Sequence, residues 1–238
     1  METLPKDIIL TIFNYLDIFD LLNISKINKL FYYYINNNKW NVKNIKINRF
    51  NEKRIQEILT RFYSLNIWFD NLAGMDHTFE FIKKCQNITI SNIRITRNII
   101  MQLNNLNIKS LCLKSCDISN IYVFQSLKIP DLKKFIINFY ISNSVLFSII
   151  DINSSIEHLE LNYDSSNNAL YYINTENNIK YLKIQAEYIS DYEIKFLNKW
   201  VNLESLDIIV NNNYINISEI NLPKLKHFNI IKKSNLNF

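Results

Sequence analysis

The chain has a single glycine, Gly74, in 238 residues. A loop that cradles phosphate needs several glycines at fixed spacing, so nucleotide-binding loops of that kind are excluded. Cysteine is almost as scarce. Cys85, Cys112 and Cys116 are an odd number for a disulfide framework, and Cys112 and Cys116 have no second pair. With His77, His158 and His227 scattered, no zinc site or other metal is expected. No run of 18 apolar residues occurs, and the first seven residues already carry charge. Neither a membrane span nor a signal peptide is therefore expected, and a reducing cytoplasm, or the nucleus, fits best. There is also no concentrated basic stripe. The net charge is +5, but Lys and Arg are dispersed, with pairs such as Lys83-Lys84 and Lys133-Lys134 the longest tracts. Nucleic acid is not an expected partner.

What is present is apolar bulk. Hydrophobic residues make up 48% of the chain, enough for a real core and too many for a disordered tail. Asn, Ile, Lys and Tyr abound, as AT-rich coding would produce. The Asn clusters at 36–38 and 211–213 read as loop filler, and the sequons at Asn23, Asn87, Asn153 and Asn216 as chance.

Leu4 to Trp40 reads as a compact helical unit. Pro5 suits a first helical turn, and Asp7 complements its dipole. Ile8, Ile12 and Leu16 recur every four residues, with Ile9 and Phe13 beside them, which predicts a helix with a broad apolar face. Asp17 can cap a second helix carrying Leu21, Leu22 and Ile24. A third is expected from Lys26 to Ile35, with Ile27, Leu30, Phe31 and Tyr34 on one face. So few residues cannot bury that much apolar surface alone. The stretch resembles the F-box, through Leu4-Pro5, Asp7, Ile12-Phe13, Leu16-Asp17, Asp20-Leu21-Leu22 and Trp40. It departs in the third helix, where Phe31 and three tyrosines stand in place of basic residues and a Trp. The resemblance implies an F-box over 1–40 that docks on a Skp-type adaptor and through it a cullin. It nominates Leu4, Pro5, Ile8, Ile9, Ile12, Leu16, Leu21 and Leu22 as the adaptor-binding set, some of which must face the rest of the chain instead. The competing reading is a helical cap with no partner.

From Val42 onward one phrase returns. Ile108-Lys-Ser-Leu111-Cys-Leu113, Ile156-Glu-His-Leu159-Glu-Leu161 and Leu203-Glu-Ser-Leu206-Asp-Ile208 are three copies. The anchors fall at 45, 67, 88, 111, 135, 159, 182, 206 and 228, in steps of 21 to 24; Leu65 is an alternative to Ile67 in the second copy. This resembles the leucine-rich repeat. The resemblance implies an α/β fold: a three-helix F-box, then a solenoid of about nine repeats over 41–238. Its parallel strands would line the concave face and its helices the convex one. Helices are expected at 52–59, 75–84, 142–152 and 190–200 from apolar spacing.

No catalytic constellation stands out; Cys112 and His158, for example, lie two repeats apart. The chain is expected to be a non-enzymatic recognition module without cofactor. An F-box joined to repeats looks like the substrate receptor of a cullin-based ubiquitin ligase. The alternative is a decoy or scaffold that sequesters the adaptor or a host protein without ubiquitination. The AT-biased composition resembles F-box proteins of large DNA viruses of amoebae, for which the compartment would be host cytoplasm, or those of social amoebae. Outward strand positions are the expected target surface: Trp68, Ile136, His158, Glu160, Tyr181, Lys183 and Asp207.

Overall fold

The computed structural model describes residues 4–16, 18–37, 44–47, 66–70, 85–118, 120–139, 143–163, 170, 177–211 and 219–232. Three helices come first: α1 (Lys6–Tyr15), α2 (Ile18–Ile27) and α3 (Lys29–Asn37). Pro5 opens α1, and its carbonyl accepts from Ile8 N and Ile9 N. The second helix runs to Ile27, so α3 starts later than the apolar spacing predicts. The break is set by Asn28, whose Oδ1 accepts the Leu30 N–H at 2.8 Å and so opens α3. Ile27 thereby ends α2 and is 76% exposed, not part of an inward face. Asp17 and Trp40 lie outside the described residues, as do the helices expected at 52–59 and 75–84.

The remainder is a mixed α/β assembly around a parallel sheet. Its strands are β1 (Asn44–Ile47), β2 (Asn66–Asp70), β3 (Asn87–Ser91), β5 (Ser110–Lys114), β7 (Lys134–Asn138), β8 (His158–Tyr163), β9 (Tyr181–Ala186), β10 (Ser205–Val210) and β11 (His227–Lys232). They lie side by side in chain order, all parallel. A second, two-stranded ribbon pairs β4 (Arg94–Ile95) with β6 (Asp117–Ile118). Between strands lie α4 (Arg97–Asn104), α5 (Ile121–Phe124), α6 (Asn143–Ile152) and α7 (Asp191–Leu197). The helices α4 and α5 fall where the sequence reading placed none. Thr96 caps α4 through Ile99 N, and Ser190 with Glu193 forms a capping box on α7.

The register is a ladder of like on like. Ile45, Ile67, Ile88, Leu111, Phe135, Leu159, Leu182, Leu206 and Phe228 are Cα partners in succession, so Ile67 occupies the anchor row in β2. Side chains alternate across a strand. The anchors and the residues two further on therefore share one face, which is buried from β2 to β10. Ile99, Ile100 and Leu103 of α4, Ile149 and Ile150 of α6, and Ile194 and Leu197 of α7 belong to the same core. The helices thus cover the anchor face, and none of the described helices covers the other face of the sheet.

Two polar devices repeat from strand to strand. At the start of a strand, two successive N–H groups fork onto one carbonyl of the preceding strand: Lys133 and Lys134 on Lys109 O, Glu157 and His158 on Lys133 O, Lys180 and Tyr181 on Glu157 O. Asparagines near helix ends clamp the neighbouring connection. Asn104 holds Ser126 O and Lys128 N, Asn153 holds Leu127 O and Ile129 N, and Asn198 holds Glu219 O and Asn221 N. The scarcity of glycine shows after β3 and β5. There Asn92 and Ser115 take the left-handed conformation, at φ 53° and 48°.

Candidate functional site

Two surfaces carry apolar or networked side chains that the fold does not use up. The first is on α1. Ile9 and Phe13, four apart, are buried, and Phe13 meets Phe31 of α3 edge-on at 5.5 Å. Ile8 and Ile12, one position earlier each, point away from that core, 47% and 46% exposed, with Leu4 beside the helix start at 56%. Burial sorts the expected adaptor residues. Leu4, Pro5, Ile8 and Ile12 are exposed and Leu16 is half-buried, while Ile9, Leu21 and Leu22 are packed inside this chain.

The second surface is the open face of the sheet. One register row crosses it as Trp68, Thr89, Cys112, Ile136, Glu160, Lys183 and Asp207. The row is uncharged from β2 to β7, then alternates acid, base, acid. The seven residues expected to meet a target therefore fall into two groups. Glu160, Lys183 and Asp207 lie in the charged part with His158 and Tyr181 beside them, and Ile136 adjoins it. Trp68 stands apart near the other end.

The charged group is one network. Glu160 has His158 Nε2 at 2.7 Å, Lys134 Nζ at 3.2 Å and Lys183 Nζ at 3.7 Å. The His158 contact, then Lys134, hold its carboxyl down at about 2. The His158 ring stacks on Tyr181, centroids 4.0 Å apart and 17° from parallel. Tyr181 donates to Asp207 Oδ2 at 2.6 Å. Burial and that carboxylate push the phenol well above its ordinary range. These side-chain contacts link four strands, β7 to β10, in addition to their backbone pairing, into a relief of alternating charge with a flat aromatic at its centre.

Trp68 is fixed by different means. Its indole N–H donates to Ser91 Oγ, which lies 3.2 Å from both Phe69 O and Asp70 Oδ1. Lys114 Nζ sits 5.7 Å from the ring centroid. The ring stays 38% exposed. Sequence reasoning missed Ser91, Lys114 and Lys134 as its partners and those of Glu160. Their signal is the register itself, because Ser91 aligns with Lys114 and Lys134 with His158.

The three cysteines are poorly placed to act as nucleophiles. Cys85, Cys112 and Cys116 are buried, and burial pushes the Cys112 thiol up and that of Cys116 to about 11. Among the described residues no group of three His, Cys, Asp or Glu could hold a metal ion, and no helix is long and apolar enough to cross a membrane.

No curated protein matches the chain. Residues 1–43 match the sequence model of the F-box domain, the kind of domain that binds Skp-type adaptors. The helices α1 to α3, with the uncovered stripe on α1, lie within the residues that match this domain, ahead of the parallel sheet in the chain.

Proposed function

We propose that this chain is the substrate-receptor subunit of a Skp–cullin–F-box ubiquitin ligase, acting in cytoplasm or nucleus. The F-box domain supports the ligase side of this reading. The observation that carries it is the uncovered stripe of Leu4, Ile8 and Ile12 on α1, apolar surface that the chain does not bury itself. The adaptor seats on that stripe and on Pro5, while Ile9, Leu21 and Leu22 support it from beneath. Residues 41–238 are a leucine-rich-repeat solenoid of about nine repeats whose concave face is the open face of the sheet. In-register apolar rows and strand starts every 21 to 24 residues support this assignment. The target is a protein segment lying across the strands, over Trp68, Ile136 and the His158–Glu160–Tyr181–Lys183–Asp207 network. A pre-fixed aromatic and a satisfied polar network lose little entropy on binding. Ubiquitin transfer belongs to other subunits, and this chain is non-catalytic.

The test is a pair of affinity captures. Replacing Ile8 and Ile12 with Asp should abolish capture of a Skp-type adaptor and its cullin while the sheet stays folded. Trp68→Ala and Tyr181→Ala should each weaken the target, by about 2 kcal/mol where they are hot spots, with adaptor capture intact. Unchanged adaptor capture by a folded Ile8→Asp/Ile12→Asp protein would refute the assignment. Reconstituted ubiquitination of the captured target separates a receptor from a decoy.

A further inference from the structure

The edge strand β11 departs from the other strands. Leu206 and Ile208 of β10 are fully buried. Their partners in β11 are Phe228 and Ile230. Phe228 is 39% exposed, Ile230 is half-buried, and Ile231 is 45% exposed. Core-row side chains are therefore open at this edge.

Three features recur along the sheet toward this edge, among them the fork of N–H groups from β3 onward and the alternating charge from β7 onward, and among the described residues each ends with an open position at β11. The first is the fork of N–H groups. Gln86 O, Lys109 O, Lys133 O, Glu157 O, Lys180 O and Glu204 O each accept two successive N–H groups from the following strand. Lys226 O is the next carbonyl in that series, and among the described residues it accepts no such pair. The second is charge. The residues just before β7 to β11 are Lys133, Glu157, Lys180, Glu204 and Lys226, alternating in sign. Glu157 bridges Lys133 at 2.8 Å and Lys180 at 2.9 Å, and Lys226 meets Glu204 at 2.6 Å. The following position in this alternation is acidic. The third is the apolar pair two and four residues after the charged position, as in Glu204-Ser-Leu206-Asp-Ile208.

We propose that the edge of β11 around Lys226, Phe228 and Ile230, which no described strand pairs, is a docking site, separate from the open face, for an extended segment of a partner protein. The segment adds as a parallel strand and reads acidic–x–apolar–x–apolar. Its first two N–H groups fork onto Lys226 O, its carboxylate pairs with Lys226, and its two apolar side chains cover Phe228 and Ile230. Main-chain bonds supply affinity, and the alternate side chains supply specificity. The charge rung fixes register, because a slip of one residue would turn the apolar pair to the wrong face.

The test uses the full chain and labelled synthetic peptides. The reference peptide repeats the chain's own Leu203–Val210, with a soluble tail added. It should bind and slow hydrogen exchange in β11. Replacing its Glu by Lys should weaken binding about fivefold, a change from attraction to repulsion at an exposed pair. Replacing the peptide residues that correspond to Leu206 and Ile208 by Asp should weaken it about thirtyfold or more. Against the folded Lys226→Glu protein the preference between the Glu and Lys peptides should reverse. No binding, binding without protection of β11, or no reversal would each overturn the proposal. So would concentration-dependent self-association that excludes the peptide, which would assign the edge to a second copy of this chain.

Discussion

Asn153 is 1% exposed, and its amide is fully used. Oδ1 accepts from Ile129 N at 2.6 Å, and Nδ2 donates to Leu127 O at 2.8 Å and Ile149 O at 2.7 Å. Removing it orphans buried backbone groups in the preceding connection, at about 1–3 kcal/mol per group. Asn153→Ala should therefore lower stability by about 2–4 kcal/mol in urea unfolding. Asn104→Ala, whose clamp lies at the surface where water can substitute, should cost about 1 kcal/mol or less. The burial also removes Asn153 as a glycan acceptor in the folded chain. None of this was legible in the sequence, because an Asn-rich chain hides its structural asparagines among fillers and the partners are 24 and 26 residues away. Glu160 is the second case. A carboxyl held below its ordinary value stabilises the fold above that value, and the contribution is lost as pH falls through the lowered one. Glu160→Gln should cost about 1 kcal/mol at neutral pH. The gap to the parent protein should stay level down to pH 4.5 and close between there and about 2.

At the scale of elements, α1 shows what periodicity can and cannot settle. Its apolar residues lie at 8, 9, 10, 12 and 13, a broad stripe that predicts a helix without saying which part faces inward. Packing against Phe31 selects Ile9 and Phe13. Ile9→Ala should therefore cost about 2–5 kcal/mol. The double change Ile8→Ala/Ile12→Ala should lower stability by about 0.5 kcal/mol or less. Equal effects would mean that α1 is rotated from the orientation described. The strands were legible almost residue by residue, since like anchors must stack and only one phase of a period-two pattern buries them all. The helix α4 was missed although its signals are in the sequence: Thr96 is a good cap, and Ile99, Ile100 and Leu103 keep helical spacing. A four-residue helix such as α5 carries too few residues for a period to show. In the candidate site, the outward positions followed from alternation. The ties between them did not, since Tyr181 reaches Asp207 across a register row and His158 folds onto Glu160 within its own strand.

For the whole molecule, strand order equal to chain order means that most strand contacts link sequence-neighbouring strands of the sheet. Stability then behaves as a sum of local terms and junctions along one axis. A central junction is supported on both sides, and the β11 edge on one. Leu182 has Leu159 and Leu206 as partners and is fully buried, whereas Phe228 has Leu206 alone among the described strands. Truncating Leu182 to Ala opens a cavity that cannot relax toward solvent, so it should cost about 2–5 kcal/mol. Phe228→Ala removes a side chain already partly in water and should cost less than half as much, despite being the larger deletion. The same asymmetry orders local unfolding, because opening free energy follows the support an element has. Native-state hydrogen exchange should be fastest in β11, slower in β10 and slowest in β8 and β9. Leu182→Ala should accelerate exchange on both sides of β9, and Phe228→Ala in β10 and β11 alone. A uniform rise across the sheet in both variants would show that the strands unfold as one cooperative block, and the additive description would fail.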